Sequence, residues 1–181
     1  MTETVFRTTP ADWLELVIIR RLQHDDLLAL EWEGEYRHFR QVYADTYQRM
    51  RRGIASMWVA DLPGTGVIGQ VFLQFDCDRK ELADGLTRAY FFSFRVRPEY
   101  RSAGVGALLL KVIEDETHLN KLRWLCLNVA RDNPRAQNFY DRYGYNIVAA
   151  DPGIWTYKDE EGTVHQVNEP AWRMEKDLDK A

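Results

Sequence analysis

Apolar positions along the chain change their period several times, and each change predicts an element. Residues 16–21 (LVIIRR) are β-branched and strand-like. His24, Asp25 and Asp26 supply capping side chains for a short helix carrying Leu27, Leu28 and Trp32. Residues 36–52 place Phe39, Val42, Tyr43, Thr46 and Met50 at three- and four-residue spacings, which predicts a second helix ended by Gly53. Strands over 55–61 and 67–75 follow, joined by the turn Leu62-Pro63-Gly64-Thr65-Gly66. Residues 76–88 are polar and read as a loop. Residues 89–96 (AYFFSFRV) are almost continuously apolar, the pattern of a strand covered on both faces.

The second half is equally patterned. Over 104–119, Val105, Leu108, Leu109, Val112, Ile113 and Leu119 share a broad helical face opposite Lys111, Glu114, Asp115 and His118. Glu116 falls on the apolar side, and the pattern alone does not account for it. A strand over 123–130 leads to Asn133-Pro134, an N-cap with proline at the first helical position, opening a helix to Tyr143 that Gly144 stops. A strand over 145–150, a hairpin within 151–170 turning at 158–162, and a last strand over 171–175 complete the chain. The order β-α-α-β-β-β-α-β-α-β-β predicts an α/β (α+β) domain spanning 1–181, with a mixed, twisted sheet and about four helices on its two faces.

Composition narrows the classes. At 181 residues and 45% apolar, one domain would bury roughly 70% of its unfolded surface. Thirteen per cent aromatic, with six Trp, asks for a large core or a lined pocket. Cys77 and Cys126 are too few and too isolated for a disulfide framework or a zinc site, so a reducing compartment, the cytoplasm, is expected. Residues 1–10 lack a signal-peptide core and no apolar run reaches membrane length, so no membrane partner is expected. A net charge of −4 disfavours a nucleic-acid partner, and Arg49, Arg51 and Arg52 read as a solvated helix end. The four histidines show no metal-ligand spacing, so no metal is expected.

Chemistry concentrates between the buried strand and the helix that follows it. A short loop there carries Gly104 and Gly106 directly before a helix N-terminus, where free N–H groups and the dipole favour a pyrophosphate, with Arg101 to assist. The GxGxxG fingerprint fails at Leu109, and the Gly-Lys-Ser/Thr of a P-loop is missing. Arg101-x-x-Gly104-x-Gly106, preceded by Val96-x-Pro98 and followed by Leu108-Leu109, instead resembles the acyl-CoA signature of the GNAT superfamily of N-acetyltransferases. Asn133-x-x-Ala136-x-x-Phe139-Tyr140-x-x-x-Gly144-Tyr145 resembles that family's second block, with Tyr145 where Phe is more usual.

The resemblance implies that acetyl-CoA is the co-substrate. The backbone of Arg101, Ser102, Ala103, Gly104, Val105, Gly106 and Ala107 would hold its pyrophosphate. The strand ending at Val96 would splay from the strand at 125–129, with Phe94 and Val96 offering backbone groups to the pantetheine arm. Asn133 would contact that arm, and Tyr140 would protonate the departing thiolate. Helical geometry places Asn133, Ala136, Gln137 and Tyr140 on one face, with Asn133 and Tyr140 about 10 Å apart, while Phe139 and Tyr143 turn toward the core. Tyr140 also reads as an amphipathic packing residue. Candidate bases are Glu31, Glu33, Glu35, Asp76, Asp78 or water. Trp32, Trp155, Tyr157 and Trp172 are expected in the core. The expected acceptor is the primary amine of a small molecule or peptide, and acidic and aromatic residues in the first two helices and the C-terminal hairpin point to a small cationic amine. A non-catalytic acyl-CoA-binding module is the alternative. A homodimer is an expectation by fold analogy only.

Overall fold

The computed structural model describes residues 13–180; the expectation for residues 1–10 lies outside the described residues. Strand β1 (Ile18–Arg21) is shorter than the apolar pattern, because Leu16 and Val17 close backbone turns onto Trp13 and Leu14 at 3.1 Å. The first expected helix forms as a 3-10 segment, His24–Gly34. Gln23 is its N-cap, and Asp26 accepts the Gln23 N–H at 2.7 Å. It ends on three consecutive left-handed residues, Trp32, Glu33 and Gly34, at φ 46°, 57° and 102°. The next helix, α1 (Arg40–Arg51), starts later than its apolar periodicity, because Arg37–Phe39 forms a 3-10 turn of its own.

Strands β2 (Ala55–Leu62), β3 (Gly66–Gln74) and β4 (Arg88–Val96) form an antiparallel meander with β1. Helix α2 (Val105–Leu119) then crosses to β5 (Trp124–Ala130), which lies parallel to β4. After α3 (Pro134–Arg142) come β6 (Asn146–Asp151), the separate hairpin β7 (Ile154–Lys158) and β8 (Val164–Asn168), and β9 (Ala171–Asp177). The main sheet runs β1-β2-β3-β4-β5-β9-β6, so the last strand inserts between β5 and β6. The expected mixed sheet is present. No helix among the described residues is long and apolar enough to cross a membrane.

Two buried clusters lie on opposite faces of the sheet. Leu109, Leu110 and Ile113 of α2 pack on Ile68, Val71, Leu73 and Leu125. Tyr43 packs with Met57, Val59 and Phe72 on the α1 side. Fully burying each of these side chains contributes about 1.5–3 kcal/mol relative to leaving it exposed, so the two helices are held firmly on their faces.

The structure also explains Glu116. It is buried because three donors meet it there: Ser56 Oγ and Trp58 Nε1, both at 2.6 Å, and Arg21 Nη2. The carboxylate thus ties α2 to the register of β1 and β2. Arg21 is half exposed and can regain water, so the cost of losing Glu116 falls on the two neutral donors, buried Ser56 and half-buried Trp58. Glu116→Ala is expected to lower stability by about 2–3 kcal/mol in urea unfolding, and Glu116→Gln by less.

Candidate functional site

The site begins where β4 and β5 part. Their parallel pairing holds for three residue pairs, Arg88–Trp124, Ala89–Leu125 and Tyr90–Cys126, and then stops although both strands continue. A bulge helps to turn β4 away. Between Gln70 and Phe72 of β3, β4 advances three residues, with Ser93 left-handed at φ 52°. Backbone groups of Phe91–Val96 and Leu127–Ala130 that would have paired across the gap are left facing it, so they need a partner other than each other.

A cavity of about 800 Å³ occupies the opening, lined by Phe92, Phe94, Asn128, Ala130, Asn133 and Tyr140 among others. Asn128 Oδ1 is buried in it with no hydrogen-bond partner among the described residues. Helix α3 forms one wall. Asn133 caps it by accepting the Ala136 N–H at 3.1 Å, and Pro134 takes the first helical position. Of the expected α3 face, Asn133, Ala136 and Tyr140 all line the cavity, while Gln137 is drawn aside to the carbonyls of Ala130 and Arg131 at 3.0 and 3.1 Å. Tyr143 departs from expectation. It is 39% exposed, because α3 ends at Arg142 and the sheet lies beneath the Tyr140 face instead.

Tyr140 is buried among aromatic rings, with centroids of Phe91, Phe94, Phe139 and Tyr145 at 5.6, 6.0, 5.3 and 6.0 Å. Its hydroxyl makes no hydrogen bond among the described residues, and burial pushes its pKa well above the ordinary tyrosine value. The phenol therefore stays protonated at any physiological pH.

The glycine loop adjoins this cavity rather than lining it. Ser102 and Gly104 are both left-handed, at φ 62° and 112°. The non-glycine strain at Ser102 is braced by α3, whose Arg135 donates to Ser102 Oγ at 3.2 Å. The helix ladder starts with the Leu108 N–H bonded to the Gly104 carbonyl at 3.1 Å, so the amides of Gly104, Val105, Gly106 and Ala107 precede the first bond. Ala103 lies half-buried between the two left-handed residues. Arg101 folds back to donate Nε to the Val96 carbonyl at 2.8 Å, tying the loop to the end of β4. Gly106 sits where a Cβ would stand 3.3 Å from Phe139 Cζ and 3.7 Å from Phe94 Cε1. Loop, β4 and α3 thus meet at one point.

Of the five carboxylates considered as bases, Asp78 lines the cavity, at its exposed rim. Glu31 is buried against Arg40, with bonds of 2.6 and 2.8 Å. Glu33 pairs with Arg97, which holds its pKa below the ordinary value. Glu35 is exposed, and Asp76 is bound by Lys80. Asp151, absent from the sequence candidates, also reaches the cavity. Burial alone would raise its pKa, but Arg79 at 2.6 Å and the Gly153 N–H at 2.8 Å hold it below the usual range, which makes it a weak base. Among the described residues no group of His, Cys, Asp and Glu is placed to hold a metal ion.

A roof crosses the α1 side of the cavity. Phe39 packs on Trp155 and Tyr157 with centroids at 6.1 and 4.9 Å, and Arg37 pairs with Glu160 at 3.3 Å. Trp32 is in the core as expected, but Trp155 is 42% exposed, because β7 and β8 pair with each other and lie outside the main sheet.

The model of the acetyltransferase (GNAT) family matches residues 21–145, more than two thirds of the chain. The protein belongs to this family. It is thus an acyltransferase of the N-acetyltransferase kind, and the family uses acetyl-CoA as co-substrate. Solved structures agree in fold. A chimera of the Vibrio cholerae spermidine N-acetyltransferase and hSSAT is 18% identical with a TM-score of 0.67, covering 91% of this chain and 97% of its own. Ard1 from Thermoplasma volcanium is 19% identical with a TM-score of 0.68, covering 90% and 97%. The ribosomal-protein-S18-alanine N-acetyltransferase from Escherichia coli is 20% identical with a TM-score of 0.65, covering 90% and 94%. No curated protein matches the chain with significance.

Proposed function

We propose that this GNAT protein transfers an acetyl group from acetyl-CoA to the primary amine of a small molecule, directly, with both substrates bound together. The observation that carries the reading is the convergence at the β4–β5 opening. Helix N-terminal amides ahead of the first ladder bond lie at one end, strand backbone not paired across the gap along the middle, and beside it a protonated Tyr140 hydroxyl without a partner among the described residues.

In this reading the amides of residues 101–107 hold the pyrophosphate. Backbone groups of Phe94 and Val96 and the side chain of Asn133 hold the pantetheine arm, and Ala136 leaves room for it. Acetyl-CoA supplies the acyl group as a thioester when bound. A β4 N–H polarises the carbonyl as charge builds on oxygen. Tyr140 donates its proton to the departing sulfur, and water leading to Asp78 takes the proton that leaves the amine. The second substrate enters from the α1 side, under Phe39 and Trp155. That roof suits a small acceptor better than a protein tail, which needs an open groove. The spermidine and ribosomal-protein enzymes of the same fold span both classes of amine.

Titration calorimetry with acetyl-CoA, CoA and NADH tests the first half. Micromolar binding of acetyl-CoA and CoA without NADH is the expected result. An amine panel read by thiol release tests the second half. Binding without turnover of any amine would leave a non-catalytic acyl-CoA module.

A further inference from the structure

The cavity wall on the α1 side carries two arginines that no carboxylate of the described residues neutralises. Arg95 follows the β4 bulge. Its Nη1 donates to two neutral hydroxyls, Tyr43 Oη at 3.1 Å and Ser93 Oγ at 2.9 Å, and its Nε and Nη2 find no partner among the described residues. The guanidinium lies 4.1 Å from the Tyr36 ring centroid and 5.2 Å from that of Phe39. Stacking of this kind fixes the plane of the group and leaves its N–H edge to bond. Arg49, at the end of α1, lines the same cavity. Its Nη2 donates to the Asp76 carbonyl at 2.7 Å, while its Nε is buried with no partner among the described residues.

Of the other partly buried arginines three are ion-paired, while Arg173 of β9 has neither an ion pair nor a partner for its buried Nε among the described residues. Arg20 meets Asp26 and Asp61, Arg88 meets Glu175, and Arg97 meets Glu33. In the cavity itself Arg79 is neutralised by Asp151 and Glu81. Arg49 and Arg95 share the unpaired state of Arg173 but, unlike it, line the cavity, on the face of the sheet opposite the glycine loop. A half-buried guanidinium with free N–H groups, already oriented by stacking, is a receptor for a planar anion. The pyrophosphate is served by the loop on the other face. Asp78 and Glu169 remain on the cavity wall as carboxylates without an ion pair among the described residues. The wall therefore carries both signs of charge.

We infer that the acceptor carries a carboxylate as well as its amine, an amino-acid-like molecule whose carboxylate is held by Arg95 with Arg49 beside it. This rests on the acetyltransferase reading above and narrows its substrate. It runs against the expectation of a small cationic amine, because the acidic residues behind that expectation are largely spent: Glu31 on Arg40, Glu33 on Arg97 and Glu160 on Arg37.

Matched acceptor pairs that differ only in the carboxylate test it on the CoA-loaded protein: L-phenylalanine with phenethylamine, L-methionine with 3-(methylthio)propylamine, and L-lysine with cadaverine. In at least one pair the acid is expected to bind about tenfold or more tightly than its amine, the scale of a charge-assisted hydrogen bond. Arg95→Gln should bring that preference to within about twofold, and Arg49→Gln should reduce it independently should the first variant fold poorly. Amines that bind as well as their acids in every pair, or a preference that survives both variants, overturn the inference. Acetyl-CoA titrated alone against wild type separates the two readings. Failure there sinks the acetyltransferase proposal, whereas acetyl-CoA binding with no acid preference sinks only this one.

Discussion

Tyr140→Phe is expected to lower kcat by about 10²-fold or more while changing the Kd for acetyl-CoA by less than about twofold. The substitution is clean because the ring and the hydroxyl have separate roles. The ring packs among Phe91, Phe94, Phe139 and Tyr145, and phenylalanine keeps all of those contacts. The hydroxyl has no partner among the described residues, so its removal strands no buried donor or acceptor. A fall in stability should therefore be small, and the change in rate should report proton transfer. Burial pushes the phenol pKa up, so wild-type kcat should show no alkaline loss from Tyr140 below about pH 10. The sign is the same for stability. The neutral ring is favoured in the fold, so its contribution is complete below the unfolded value of about 10 and is lost as pH climbs through the higher folded value. Single-turnover measurement with saturating acetyl-CoA checks the prediction. Unchanged turnover would leave Tyr140 a packing residue.

Gly104→Trp is expected to weaken acetyl-CoA binding by at least about 100-fold. Two effects add. At φ 112° any residue with a Cβ is strained, by about 1–2 kcal/mol in the left-handed region. A Cβ there would stand 3.1 Å from Leu14 Cδ2, and the indole beyond it must displace either Leu14 or whatever occupies the loop. Gly104→Ala separates the two. It keeps the strain without the bulk and should cost about tenfold or less. Calorimetry beside circular dichroism makes the comparison. If the folded Trp variant binds acetyl-CoA as wild type does, the pyrophosphate is not on this loop.

Particular residues show how far the chain could be read without its fold. The strand-to-helix glycine loop and the Asn133–Pro134 helix start were legible because caps, glycines and helical spacing are local signals. The shared face of Asn133, Ala136 and Tyr140 followed from the same spacing, whereas the burial of Tyr140 and the outward turn of Tyr143 did not, since they depend on where the helix meets the sheet. Glu116 looked misplaced until Ser56, Trp58 and Arg21 were brought to it from strands far away in sequence. Arg49 read as one cation in a solvated cluster, and Arg95 as one polar residue in an aromatic strand. Neither carries a local sign of the cavity it lines.

By itself, then, the amino-acid order determined the main elements, the mixed sheet and the strand-to-helix glycine loop, because each depends on residues within a few positions of one another. Only the tertiary structure decided that β9 inserts between β5 and β6, that β4 and β5 part after three pairs, and that the Arg37–Phe39 turn and the β7–β8 hairpin roof one side of the cavity. Those features arise from contacts between segments 30 to more than 100 residues apart. No period, cap or motif within a single segment encodes them.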